Sequence, residues 1–436
     1  MAQRLHIQVV DSDSQFVRLE REWDALLLAS GEHSHFMRWH WQALWFKHLA
    51  PRGSRLHVLV FRDARRNLVG IAPLYRRPRR LCGIPVSHSL CLLGTGAAIL
   101  ISEHVGLLAQ QGQESELAAA LAEYLSRGGR WHRLWLWNVP EASAWLSALR
   151  AQLDCRVTVC DRSYYVRTDA PWRQVQSPWT RNFRYQVDRS LRLLKDRQNC
   201  RFSQVTSQQQ LQRLWPEFVR LHQLRWNRKG QPGSFSNDAF ADFLYSAMQR
   251  ALADNQLRFW YCQAGDKVVA TLVAFVSRGT AHYFQGGFDP DFSKLSVGTA
   301  MIAHSIQSCI DDNTILEFDF MGGGANYKSS WTPLTRTAMQ VEYFPASWIG
   351  KTYALGRDLR AQVGQIKRAG LRLVARATLR TNVCIVSSML VAGCSFTARS
   401  DPPPVYRVAA AKTVCARPHI VSMTSGDVAS QPEPHW

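Results

Sequence analysis

The chain has 436 residues, 46% of them hydrophobic and 11% aromatic, and a formal charge of +20 from 53 basic and 33 acidic side chains. That length is more than one ordinary core serves, and the apolar content excludes a disordered or fibrous chain, so two domains plus extensions are expected. The charge favours polyanionic partners: the phosphates of an acyl-CoA or a nucleotide, tRNA, or an anionic membrane surface.

The ten cysteines show no C-x-x-C pair and no Cys/His cluster at zinc spacing, so no metal is expected and the thiols read as reduced and buried. The opening "MAQRLHIQVVDSDSQF" lacks an apolar signal core. No run reaches the roughly 18–20 apolar residues of a spanning helix. The expectation is cytoplasmic, with peripheral contact at the inner membrane left open by the basic surface.

In chain order, Phe16, Leu19, Trp23, Leu26 and Leu27 recur at helical spacing, and a second aromatic helix follows at about 36–49. Residues 55–75 read as two strands around a polar turn. An alanine-rich helix spans 115–129 and ends in Gly128-Gly129, and 133–139 is a strand. The second half repeats this order. A helix at about 179–198 opens it; residues 181–201 carry seven basic and two acidic side chains. Helices at 211–230, with Pro216 opening the main segment, and at 237–254 come next. A hairpin at 256–277 turns at Gly265-Asp266, and a strand follows at 280–289. The helix at 296–310 has Ser296 as N-cap candidate, and the strand at 314–321 runs into Gly322-Gly323-Gly324. Matching order in the two halves suggests a duplicated α/β fold, two halves packed side by side around a cleft. The expected division is 1–160, 161–345, a basic helical extension at 346–380, and a disordered tail at 381–436. Leu390-Val391-Ala392-Gly393-Cys394 in the tail looks like a lipobox, but that signal works at an N-terminus. A fused reading frame or an amphipathic extension is the favoured reading there.

Hairpin, strand, helix opening "SVGTA" and strand are the order of a GNAT-type acyltransferase core. In that core two adjacent strands splay, an acyl thioester enters between them, and the next helix offers free N–H groups to phosphate. Ser296, Val297, Gly298 and Thr299 are the candidate cradle. It has a single glycine and no arginine or glutamine opening the loop.

Together, "RNFRYQVDRSLRLL", "LHQLRWNRKGQPGSF", "AHYFQGGFDPDFSKLSVGTAMI" and "FDFMGGGANYKSSW" resemble the BioF2-like or CelD-type acetyltransferases of cellulose and exopolysaccharide clusters. These are similar to the FemABX peptidyltransferases. The resemblance implies tandem GNAT-like domains in a FemABX-like arrangement, the first degenerate, and acyl-CoA as co-substrate. Tyr327-Lys328-Ser329-Ser330-Trp331 matches the aromatic-Lys-x-x-aromatic motif of the Fem relatives. The resemblance implies that Lys328 stabilises charge on the reacting carbonyl or holds an acceptor phosphate, between Tyr327 and Trp331.

For the base, Glu317 and Asp319 share one strand face with Ile315 and Met321, where two inward acids are costly unless paired or functional. Asp319, His222 and water all stay open. Arg181 and Arg225 are candidate anion clamps, with Trp226 beside His222 one helical turn on. Tyr283 and Gln285, on one strand face, are candidate hydrogen-bonders to acceptor or acyl carbonyl. The resulting expectation is transfer of an acyl group to an amine or hydroxyl of a cell-envelope or polysaccharide precursor. The rivals are an aminoacyl-tRNA-dependent ligase and a non-catalytic accessory protein of polysaccharide synthesis.

Overall fold

The computed structural model describes residues 5–345, apart from 82–83, 98–100, 130, 229 and 324–325. The expected extension and tail lie outside the described residues. The first half runs β1 (His6–Val10), α1 (Asp13–Arg18), α2 (Glu20–Ala29), α3 (Trp39–Leu49), β2 (Arg55–Leu56), β3 (Val58–Arg62), β4 (Leu68–Ala72), β5 (Leu74–Leu81), β6 (Ile84–Leu92), β7 (Leu108–Ala109), α4 (Glu114–Ser126), β8 (Arg133–Pro140), α5 (Ala144–Gln152) and β9 (Arg156–Arg167). The second runs α6 (Trp172–Val175), α7 (Arg181–Gln198), β10 (Cys200–Gln204), α8 (Gln208–Asn227), α9 (Asp238–Ala253), β11 (Leu257–Ala264), β12 (Lys267–Ser277), β13 (Thr280–Phe288), α10 (Val297–Asp311), β14 (Glu317–Asp319) and β15 (Thr335–Tyr343).

Each half contains a parallel strand pair bridged by a helix. β6 pairs β8 across α4, and β13 pairs β14 across α10. The pairing does not stop at the boundary between the halves. Eleven strands form one sheet in the order β10-β11-β12-β13-β14-β9-β15-β8-β6-β5-β2, and β1-β3-β4-β7 form a second. The joint is β9, which pairs with β14 near its end and with β15 along most of its length. β15 comes last in the described sequence yet lies between β9 and β8. The expected division at 160 falls inside β9.

Local sequence explains the main elements. β12 is buried over eight consecutive residues, as a central strand covered on both faces must be. On α8, Leu211, Leu214, Phe218, Leu221 and His222 face inward at helical spacing. Gly287 lets that helix sit on β13: a Cβ there would lie 2.6 Å from the Leu221 carbonyl carbon and 2.9 Å from His222 Cα. Two expectations are corrected. Pro216 lies inside α8 rather than opening it, at the cost of the bond its N–H would have made to the carbonyl of Gln212. Ser296 does not cap α10 with its side chain. A 3-10 turn at Pro290–Leu295 abuts the helix directly, which leaves Ser296 left-handed at φ 54° with no side-chain cap bond.

Candidate functional site

β13 and β14 pair only from Thr280–Glu317 to His282–Asp319. β13 continues to Phe288, while the chain after β14 turns away toward Tyr327 and Trp331. A cavity of about 320 Å³ opens there, within the roughly 300–1,000 Å³ range of small-molecule sites. Tyr283, Gly286 and Phe288 of β13 line one side, and Ser296–Thr299, Met301 and Ile302 of α10 another. Arg225, Phe183, Tyr327 and Trp331 complete it.

The first N–H groups of α10 have no partner within the helix, so its N-terminus presents donors and a partial positive charge to the cavity. Gly298 keeps this approach open: a Cβ there would meet the Phe288 ring at 3.1 Å. The Arg225 guanidinium lies 5.7 Å from the Phe288 ring centroid, and no carboxylate pairs with it among the described residues. Tyr283 and Tyr327 share a hydroxyl hydrogen bond, and burial pushes both phenols above their ordinary range. Trp331 is buried and packs edge-on against Trp179 and Phe183.

The cavity thus gathers Ser296, Val297, Gly298, Thr299, Arg225, Tyr283, Tyr327 and Trp331 from the residues singled out in the sequence. Others fall elsewhere. Arg181, exposed at the start of α7, and half-buried Trp226 do not line it. Gln285 is separated from Tyr283 by a β-bulge: Val273 pairs with Gln285 and Ala274 with Tyr283, so Phe284 is an extra residue. That extra residue shifts the alternation of β13, and Gln285 Nε2 reaches Ser234 Oγ at 3.4 Å instead. His222 is buried on α8 with its ring 4.9 Å from that of Phe235, and its Nδ1 is 3.2 Å from Gln223 Oε1. Burial holds its pKa down to about 4, so it is neutral near pH 7.

Asp319 is on the other face of the sheet. Side chains alternate along a strand, so Phe318 packs toward the Tyr283 ring at 6.0 Å while Glu317 and Asp319 point away. Arg336 of β15 forks onto Glu317 and also reaches Asp319 Oδ2 at 3.2 Å. His104 Nε2 lies 3.1 Å from the same oxygen. Burial alone would raise the Asp319 pKa. The charge of His104, its hydrogen bond, and the Met321 N–H at 2.7 Å hold it instead at about 2. Asp319 is therefore ionised and fully engaged.

Lys328 is buried. Its ammonium donates to the carbonyls of Met321, at 2.9 Å, and Gly322. Burial lowers its pKa, and the charges of Glu103, Asp319 and Asp161 oppose that. The glycine turn is pinned from the other side: Gly322 N–H donates to Glu103, and Gly323 N–H donates to Asp161 Oδ2 at 3.0 Å. Met321 and Gly323 both take left-handed φ, 62° and 89°. Lys328 thus neutralises the carbonyl side of a strained turn whose N–H side two carboxylates hold. Sequence reasoning missed Glu103, His104, Asp161 and Arg336. The only local signal was the adjacent acid and histidine at 103–104, in an irregular stretch.

Residues 181–329 match the family described as acetyltransferase (GNAT) domain. Over that segment the chain is similar to the GNAT acetyltransferase domain. The GNAT segment holds α10, the splayed strands and every cavity residue except Trp331. No curated protein matches the chain significantly. Among solved structures, FemX superposes with a TM-score of 0.56 at 10% identity, over 77% of this chain and 98% of FemX. A conserved protein of unknown function from Bacteroides thetaiotaomicron gives 0.49 at 12% identity, over 77% and 100%. A tandem GNAT protein from the clavulanic acid biosynthesis pathway gives 0.43 at 10%, over 78% and 100%. The mixed α/β fold of FemX type, expected from the sequence, is the fold observed. Among the described residues no helix is long and apolar enough to cross a membrane.

Proposed function

We propose that the protein transfers an acyl group from acyl-CoA to an amine or hydroxyl of a cell-envelope or polysaccharide precursor. The observation that carries this reading is the cavity at the splay of β13 and β14, closed at one end by the N-terminus of α10. It has the parts a thioester donor needs. The α10 N–H groups and the unpaired Arg225 guanidinium suit the pyrophosphate. The slot walled by Tyr283, Phe288 and Trp331 suits the apolar arm. The Tyr283–Tyr327 hydroxyl pair offers a donor to a carbonyl oxygen. Asp319 and Lys328 are both committed to other groups and contribute to the fold of the site rather than to the donor slot.

Thermal-shift and calorimetric titration with acetyl-CoA, longer acyl-CoAs, UDP-sugars and charged tRNA tests the reading. Ligands of the native state raise its apparent stability. The expected result is stabilisation by an acyl-CoA, with affinity lowered about tenfold or more in Arg225→Ala through loss of a charge-assisted contact. Stabilisation by charged tRNA alone would favour the ligase, and stabilisation by none the accessory role.

A further inference from the structure

Helix α7 carries charge that the cavity at the splay does not use. Thr180 caps it by accepting from Phe183 N–H, and it ends at Asn199 in the left-handed region. Val187, Ser190 and Leu194 are buried and mark its inner side. At about 100° per residue, Arg181, Tyr185, Arg189 and Arg192 fall within about 80° of one another on the opposite side. All four are exposed, Tyr185 at 58%. They form a stripe about 16 Å long.

The stripe is not neutralised. Arg181, Arg189 and Arg192 have no carboxylate partner among the described residues. Arg184, at the edge of the stripe, donates to the Gln176 carbonyl at 2.9 Å, and Lys195 is exposed. The acids of the helix are Asp188, which accepts from Gln176 Nε2 at 3.3 Å, and Asp196 in its last turn. A row of like charges repels itself and favours an anionic surface. Tyr185 stands among the arginines with an apolar ring and a polar tip, the residue type that settles at headgroup level. A convex stripe with a single ring suits a flat array of lipid phosphates. A nucleic-acid strand would call for a groove along its backbone and several stacking rings.

We propose that this face of α7 docks the protein on an anionic lipid bilayer. Arg181, Arg189 and Arg192 meet the lipid phosphates, and the Tyr185 ring lies between the headgroups. The contact is electrostatic, because the apolar side of α7 faces the core and no helix among the described residues is long and apolar enough to cross a membrane. Phe183, in the first turn of the same helix, lines the cavity at the splay. Docking therefore sets that cavity about 10–12 Å, one helix diameter, from the headgroups. The assignment holds whichever donor the cavity takes.

Sedimentation of the full chain with lipid vesicles tests this. The chain should bind vesicles of equal parts phosphatidylglycerol and phosphatidylcholine, ignore phosphatidylcholine alone, and be released by high salt. Combining Arg181→Gln, Arg189→Gln and Arg192→Gln should lower the partition coefficient about a hundredfold, and each change alone about fivefold. The single variants carry the test if the triple variant does not fold. Tyr185→Ala should weaken binding less and leave its salt dependence unchanged. Glutamine at the exposed Arg18, Arg65 and Arg150 removes the same charge elsewhere and should leave binding within about twofold of the wild type. Circular dichroism melting checks that the variants fold. The proposal is overturned if the wild type ignores anionic vesicles or if the second set of substitutions weakens binding as much as the first. It is overturned too if the stripe variants bind as tightly as the wild type, since the contact would then come from elsewhere, the basic residues after 346 included. Binding of tRNA through the stripe, with no vesicle bound, would reassign the surface to nucleic acid and overturn the lipid contact.

Discussion

Replacing Lys328 by methionine keeps most of the packing and removes the ammonium. In the structure that ammonium serves the carbonyls of Met321 and Gly322 and sits in the field of Glu103, Asp319 and Asp161. The variant leaves two carbonyls short of a donor and removes one of the counter-charges near Glu103, Asp319 and Asp161. Unpaired buried polar groups cost about 1–3 kcal/mol each, and a broken buried ion pair about 3–5. The Glu103 and Asp161 carboxylates keep their bonds to Gly322 and Gly323 N–H, so a net loss of about 2–4 kcal/mol is expected. For a folded body of this size that is a fall of roughly 3–6 °C in melting temperature. Lys328→Ala should be at least as costly, because it also opens a void. Lys328→Arg should recover part of the loss, since a planar guanidinium keeps the charge but not the compact fit. Thermal and urea unfolding followed by circular dichroism measure this. A methionine variant that melts with the wild type, yet has lost turnover, would refute the argument and restore the catalytic role that the Fem motif implies.

Gly287→Ala should destabilise by about 1–3 kcal/mol, because the new methyl meets the α8 backbone rather than a side chain that can rotate away. Gly31→Ala, with nothing within 4 Å and an ordinary φ, is the control and should melt with the wild type; equal midpoints for the two variants would contradict the close packing of α8 on β13. The protein should also be acid-labile. Burial holds His40 near 3, His222 and His282 near 4, and His35 well below its ordinary value. In the unfolded chain these groups bind protons as pH falls below about 6.5, and in the folded protein they do not, so each removes up to about 1.4 kcal/mol of stability per pH unit between 6.5 and its folded pKa. Glu32 and Glu103, both raised by burial to about 7, act in the opposite sense between 4.5 and 7, but they are half-exposed and fewer. The urea midpoint should therefore fall between pH 7 and pH 5, and a midpoint that holds or rises would show that the histidines are not buried as described.

Which parts of the site were readable follows from how far apart in sequence their causes lie. Helix α10 and strands β11 to β13 are written in local periodicity, and the GNAT order of elements placed Ser296–Thr299 and Tyr283 on one cavity without any tertiary knowledge. Gln285 was misplaced because a single extra residue, Phe284, shifts the alternation, and nothing in "YFQGG" announces a bulge. The surroundings of Lys328 were hidden for a different reason. Its neighbours Tyr327 and Trp331 are local, but the carboxylates whose charges reach it, Glu103 and Asp161, come from the other half. The same holds for the acids of β14. Their shared face could be read from period two alone, and so could the cost of leaving two carboxylates there unpaired. Their partners could not, because His104 lies 215 residues before Asp319 and Arg336 arrives on a strand that inserts between β9 and β8. The acid face of β14 is therefore neutralised only after β15 has docked. Strand insertion thus both joins the two halves and pairs Glu317 and Asp319 with Arg336.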